Sequence, residues 1–160
     1  MTVHPAFPVS ATAAGDSAAL AVRIVDPLAL SDDLAAAWDG LADEASEPNP
    51  FVERWCLQPA LHLLDPAREA RLVMVMGGRD GPLIGVMRHV TGWAHPKHFH
   101  GAPLVHAGME HLFWSILLGW CDAAGWAHTL IHVPRLTGDG PLHRALADVS
   151  SDRGAAAEIV

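Results

Sequence analysis

The stretch Leu72-Val73-Met74-Val75-Met76, then Gly77-Gly78-Arg79-Asp80-Gly81, then Leu83-Ile84-Gly85-Val86-Met87-Arg88-His89-Val90 decides the fold class. A continuous apolar run of five residues is too short for a helix and reads as a strand buried on both faces. Glycines around an Asp are turn chemistry, and a second apolar run follows directly. The segment therefore predicts a hairpin of two buried strands, Leu72 to Met76 and Leu83 to Val90.

Helices are expected on either side of this hairpin. Upstream, Ser31 is placed as an N-cap, Asp32 and Asp33 complement the positive helix end, and Leu34, Trp38, Leu41 and Ala45 recur at helical spacing. Pro48-Asn49-Pro50 breaks the chain, and a second helix is expected from about Val52 to Leu64, anchored by Phe51, Trp55 and Leu61, with Pro59 a point for a kink or a division. Before both, Leu20 to Val25 reads as a strand that stops at Asp26-Pro27, because a residue preceding proline is driven to an extended conformation.

Downstream, a loop of His and Trp, Thr91 to Pro96, leads to a strand around Phe99 to Val105. Met109, Leu112, Phe113, Ile116, Leu117 and Trp120 then give the strongest helical periodicity, with Gly125 as a stop. Thr129 to Val133 is the next expected strand, Pro141 to Val149 a last helix, and Glu158-Ile159-Val160 reads as a strand beginning, as though more sequence should follow. The sum is an α/β (α+β) fold, a mixed sheet flanked by helices over residues 21–160, behind an Ala-rich tail, 1–20, expected to be flexible.

Composition narrows the function classes. A chain of 160 residues suits one core, and half of them are hydrophobic (51%), which places it among globular proteins. A net charge of −8 with only ten Lys and Arg argues against nucleic-acid binding. The longest apolar run, Leu112 to Cys121, falls short of the roughly 20 residues a membrane span needs. No basic region precedes an apolar core at the N-terminus, as a signal peptide would require. Cys56 and Cys121 sit in apolar helical patterns without CxxC spacing, so a reducing, cytoplasmic setting is expected and covalent catalysis by a thiol is not. No Gly-x-Ser-x-Gly elbow occurs, and no catalytic residue is assigned.

One family resemblance emerges from motif order. Ala36-Ala37-Trp38-Asp39-Gly40-Leu41, Asn49-Pro50-Phe51 with Trp55, Arg71 to Met76, Pro82-Leu83-Ile84-Gly85-Val86, Phe99-His100-Gly101-Ala102-Pro103-Leu104-Val105 and Gly140-Pro141-Leu142 follow one another in this order. The series resembles the N-terminal half of the GNAT-type acetyltransferases of the CelD/BcsL-like kind, relatives of the FemAB peptidyltransferases, over roughly Val22 to Val149. The resemblance implies acyl transfer from acetyl-CoA or another acyl-CoA to an amine. It also implies a truncated GNAT-like half-domain that shapes an acceptor groove, with the thioester held mainly by a second half. The implied partners are that second half or another copy of the chain, and a small-molecule or cell-envelope acceptor.

Within that frame, Arg135-Leu136-Thr137-Gly138-Asp139-Gly140 matches the GNAT pyrophosphate pattern, which makes Arg135, Gly138 and Gly140 the candidate cofactor residues. Glycines before a helix let backbone N–H groups approach a phosphate. The same pattern also reads as an ordinary strand-to-helix turn, and Pro141 removes one donor.

Eleven histidines, with His95, His98, His100, His106 and His111 in one region, raise a second possibility, a His-rich metal-binding or sensing module. Gly92 and His98-Phe99-His100 match the opening of the cupin metal motif, but Leu104 and Val105 stand where its Glu belongs, so no metal ligand set is assigned. Trp93, His98, His100 and His106 are instead taken as candidate substrate-binding residues of the groove. A third possibility is a non-catalytic interaction domain, which a large exposed apolar face would favour.

Overall fold

A computed structural model describes residues 21–78, 80–89, 101–123, 133 and 136–154. The central hairpin is formed by β2 (Arg71–Met76) and β3 (Leu83–His89), closed by a hydrogen bond of 2.8 Å from the Gly77 N–H to the Pro82 carbonyl. β1 (Ala21–Val25) pairs with the free side of β2, and the two-residue β4 (Leu104–Val105) with that of β3. The order is β1-β2-β3-β4, and every one of these pairings is antiparallel.

The continuous apolar run has the expected cause. Successive side chains of a strand point to opposite faces, and both faces of β2 are covered. Leu72, Met74 and Met76 join one core with Trp38, Leu41, Leu57 and Leu61, whereas Val73 and Val75 join another with Phe113, Trp114, Leu117 and Leu142. The first core lies under α1 (Asp32–Asp43) and α2 (Arg54–Leu64), the second under α3 (Glu110–Ala123) and α4 (Pro141–Asp152). The architecture is thus an α+β sheet flanked by helices.

In β3 the register slips by one residue, since Val75 faces Gly85 but Met76 faces Leu83. Such a bulge places two neighbouring residues on one side. Ile84 enters the second core while Phe113 lies against Gly85, where a Cβ would come within 2.5 Å of the ring.

Each helical layer contains one fully buried tryptophan whose indole N–H is satisfied by a backbone carbonyl. Trp38 Nε1 donates to the Val52 carbonyl (2.9 Å) and Trp114 Nε1 to that of Leu142 (3.0 Å). Aromatic burial and a polar tie are thereby combined, so α1 is fastened to the segment before α2 and α3 to α4.

Several expectations need correction. Ser31 does cap α1, accepting from the Leu34 N–H, but the helix ends at Asp43 and Ala45 lies beyond it, bridged to His106. There the chain turns aside to extend the sheet edge, with Ser46 N–H donating to the Val105 carbonyl and Ala107 N–H to that of Glu44 (both 2.8 Å). α2 starts at Arg54 rather than Val52 and continues through Pro59. Trp55, expected as an anchor, is 67% exposed, and the buried positions are Val52, Leu57 and Leu61. Of the residues expected on the face of α3, Phe113, Ile116 and Leu117 are buried, with Trp114 and Cys121 beside them, whereas Leu112 is exposed and Met109, also exposed, lies just before the helix. α4 runs three residues beyond Val149.

The tail 1–20, Arg79, Val90, the loop 91–96, Phe99, Gly125, the strand expected at 129–133 apart from Val133, and the strand expected at 158–160 lie outside the described residues. Among those described, no helix is long and apolar enough to cross a membrane.

Candidate functional site

Three loops meet at one end of the sheet. The segment between α1 and α2 contributes Glu47, Pro48 and Asn49, the residues before β4 contribute Ala102 and Pro103, and the turn into α4 contributes Thr137, Gly140 and Pro141. They line an open cleft of about 380 Å³, within the size range of small-molecule sites.

Asn49 holds two of these loops together. It is 2% exposed, and its Nδ2 donates 2.7 Å to the Ala102 carbonyl. A Pro-Asn-Pro segment can neither continue a helix nor enter a ladder, so its single polar side chain does the fastening. Asn49 Oδ1 and the neighbouring Ser46 Oγ are the two buried side-chain atoms with no hydrogen-bond partner among the described residues. A buried polar atom left unpaired costs free energy, and two in one four-residue stretch single out this segment.

Glu47 holds the third loop. Its Oε1 accepts from the Leu142 N–H (3.3 Å) at the start of α4, a helix whose N-cap is Gly140 and therefore has no side chain to do so. A carboxylate at this position satisfies an otherwise unpaired donor and faces the positive end of the helix dipole. A Cβ at 140 would overlap Glu47 Oε1, so a larger residue there would displace the Glu47 carboxylate from the helix end.

Two further donors of the turn are also engaged. Gly140 N–H donates to the Thr137 carbonyl (3.2 Å) and Asp139 N–H to His143 Nδ1 (3.2 Å). Asp139 adopts a positive φ of 59°, and its carbonyl accepts from Arg144 Nη1 at 2.7 Å. The end of the turn that leads into α4 is thus engaged by groups of the chain itself.

Of the residues expected at a site, Gly140 lines the cleft, while Gly138 stands in open space in the same turn. His106 does not line it. Its Nε2 lies 2.9 Å from Glu44 Oε2 and its Nδ1 2.9 Å from the Ala107 carbonyl, so both ring nitrogens face acceptors. That arrangement fastens the end of α1 to the end of β4 and leaves no lone pair directed at a metal. Arg135, Trp93, His95, His98 and His100 lie outside the described residues. Among those described, no three His, Cys, Asp or Glu side chains are grouped to hold a metal ion.

Neither thiol lines the cleft. Burial on the inner face of α3 pushes the Cys121 thiol above its ordinary range, a shift that the nearby Arg153 guanidinium opposes, so the group is held in its unreactive form.

Sequence reasoning missed Glu47, Asn49 and Thr137. Pro48-Asn49-Pro50 was legible as a break, but the partner of Glu47 is 95 positions away, and nothing local to Glu47 points to it. Comparisons of the chain with protein-family models, with curated proteins and with solved structures find no match.

Proposed function

We propose that the chain is the N-terminal half of a tandem GNAT-type, acyl-CoA-dependent N-acyltransferase of the CelD/BcsL-like kind. In this reading it shapes the acceptor groove, and the second half holds acyl-CoA. The resemblance in motif order suggests the family. The element order is compatible with it, with a helix pair inserted between the first two strands of an antiparallel sheet and a further helix pair on the other face.

The single observation that carries the division of labour is Glu47 on the α4 N-terminus. A pyrophosphate bound there would need the backbone donors of the 135–140 turn and of the helix start. Those of Asp139, Gly140 and Leu142 are already engaged, and a phosphate would also meet the charge of the Glu47 carboxylate. The cleft beside that carboxylate is the proposed acceptor groove.

Calorimetric titration of the purified chain with acetyl-CoA tests the proposal, alongside an assay for free thiol release in the presence of amines. The expected result is no saturable heat and no thioester consumption by this chain alone. Tight binding with turnover would overturn it and return the role of cofactor loop to residues 135–140.

A further inference from the structure

We infer that the cleft between Glu47, Asn49 and Pro141 binds a cationic hydrogen-bond donor, an alkylammonium or guanidinium group carried on a small apolar body. The donors and acceptors of its wall decide this. Pro48, Pro103 and Pro141 line the cleft and have no N–H. The Gly140 N–H is bound to the Thr137 carbonyl, the Leu142 N–H to Glu47 Oε1, and Asn49 Nδ2 to the Ala102 carbonyl. These donors are therefore engaged within the chain.

The charged group left in the wall is an acceptor, beside the Thr137 hydroxyl, which can donate or accept. Glu47 Oε2 makes no hydrogen bond among the described residues, and no Lys, Arg or His there pairs with the carboxylate. Asn49, which lines the cleft, has in Oδ1 a buried acceptor without a donor. An unpaired carboxylate beside an orphaned amide oxygen, between walls of proline and alanine, complements a ligand with several N–H groups and a positive charge. An anion would meet the Glu47 charge.

The ligand's identity rests on the groove reading above only in treating the cleft as a ligand site, and it adds what the ligand carries. The cation is an anchor and not the acylated group, because an amine must give up its proton to attack a thioester and one held against Glu47 keeps it.

The test is titration of the isotope-labelled full chain, followed by the amide signals of Gly140 and Leu142 and the side-chain amide of Asn49. The probes are n-butylguanidinium and n-butylammonium, with butyrate and n-butanol as controls at matched ionic strength. Saturable shifts with the two cations alone are expected, with binding weakened about tenfold or more in Glu47→Gln, which keeps an acceptor for the Leu142 N–H but loses the charge.

A blocked Gly-Arg-Gly peptide separates the two sources of such a group. Tighter binding than butylguanidinium assigns the cleft to an arginine side chain of another polypeptide, and weaker binding assigns it to a free small cation. Equal binding of butyrate, undiminished binding in Glu47→Gln, or no saturable shift with either cation would overturn the inference. Should Glu47→Gln not fold, the preference of the wild-type chain for cation over butyrate decides alone. Failure here leaves the acyltransferase reading standing or falling on the acetyl-CoA titration, which is independent of it.

Discussion

At the scale of single residues, burial decides which groups are chemically available. Cys121 is buried against the second core, and its desolvated thiol is pushed above the ordinary value of 9.0. The folded state therefore holds that proton more tightly than the unfolded chain does. Its contribution to stability is complete below the ordinary thiol value and is lost as pH rises through the raised one. Two outcomes follow at this scale: Cys121 should react with a thiol reagent at mildly alkaline pH only in denaturant, and Cys121→Ser should flatten the alkaline end of the stability profile. Labelling followed by peptide mass mapping checks the first and urea melts across pH the second. Rapid labelling of Cys121 in the native protein would contradict its burial. That Cys121 is buried was legible in its apolar helical pattern, whereas the exposure of Trp55 was not. Hydrophobicity alone does not say that its indole N–H prefers Glu53 Oε2, 2.6 Å away on the outer side of α2.

At the scale of elements, α2 separates composition from packing. Trp55, Pro59 and Leu63 recur at i, i+4 and i+8 on the exposed side, while Leu57 and Leu61 face the sheet. Leu57→Ala, at 2% exposure, should destabilise the protein by about 2–5 kcal/mol through lost transfer energy and a residual cavity. Trp55→Ala should change stability by no more than about 0.5 kcal/mol, although it removes the larger side chain. Urea midpoints of the two variants measured together check the contrast, and a large loss for Trp55→Ala would mean that the exposed stripe is packed after all. Helical period was readable here, but its phase was not. Val52 is buried before the helix starts, because its carbonyl receives the Trp38 indole N–H from α1.

At the scale of the whole molecule, the contact between Glu47 and Leu142 joins the two helical layers across the end of the sheet. Glu47→Ala should leave α4 without an N-terminal acceptor and cost about 0.5–2 kcal/mol. Amide exchange at Leu142 should accelerate well beyond exchange in β2. Hydrogen exchange followed residue by residue measures this, and unchanged protection at Leu142 would remove Glu47 from the cap. The sequence by itself determined the hairpin, the helix on each side of it and the breaks at Pro48 and Gly140, because strand period, helix period and backbone restriction are properties of near neighbours. Only the tertiary structure decided which helix face is inside, that the start of α4 after the glycine-containing turn is engaged by the chain's own carboxylate, and that Asn49 and Glu47 border one cleft. Those outcomes depend on pairings between loops distant in sequence, where unpaired donors and acceptors choose their partners by proximity after the sheet has assembled.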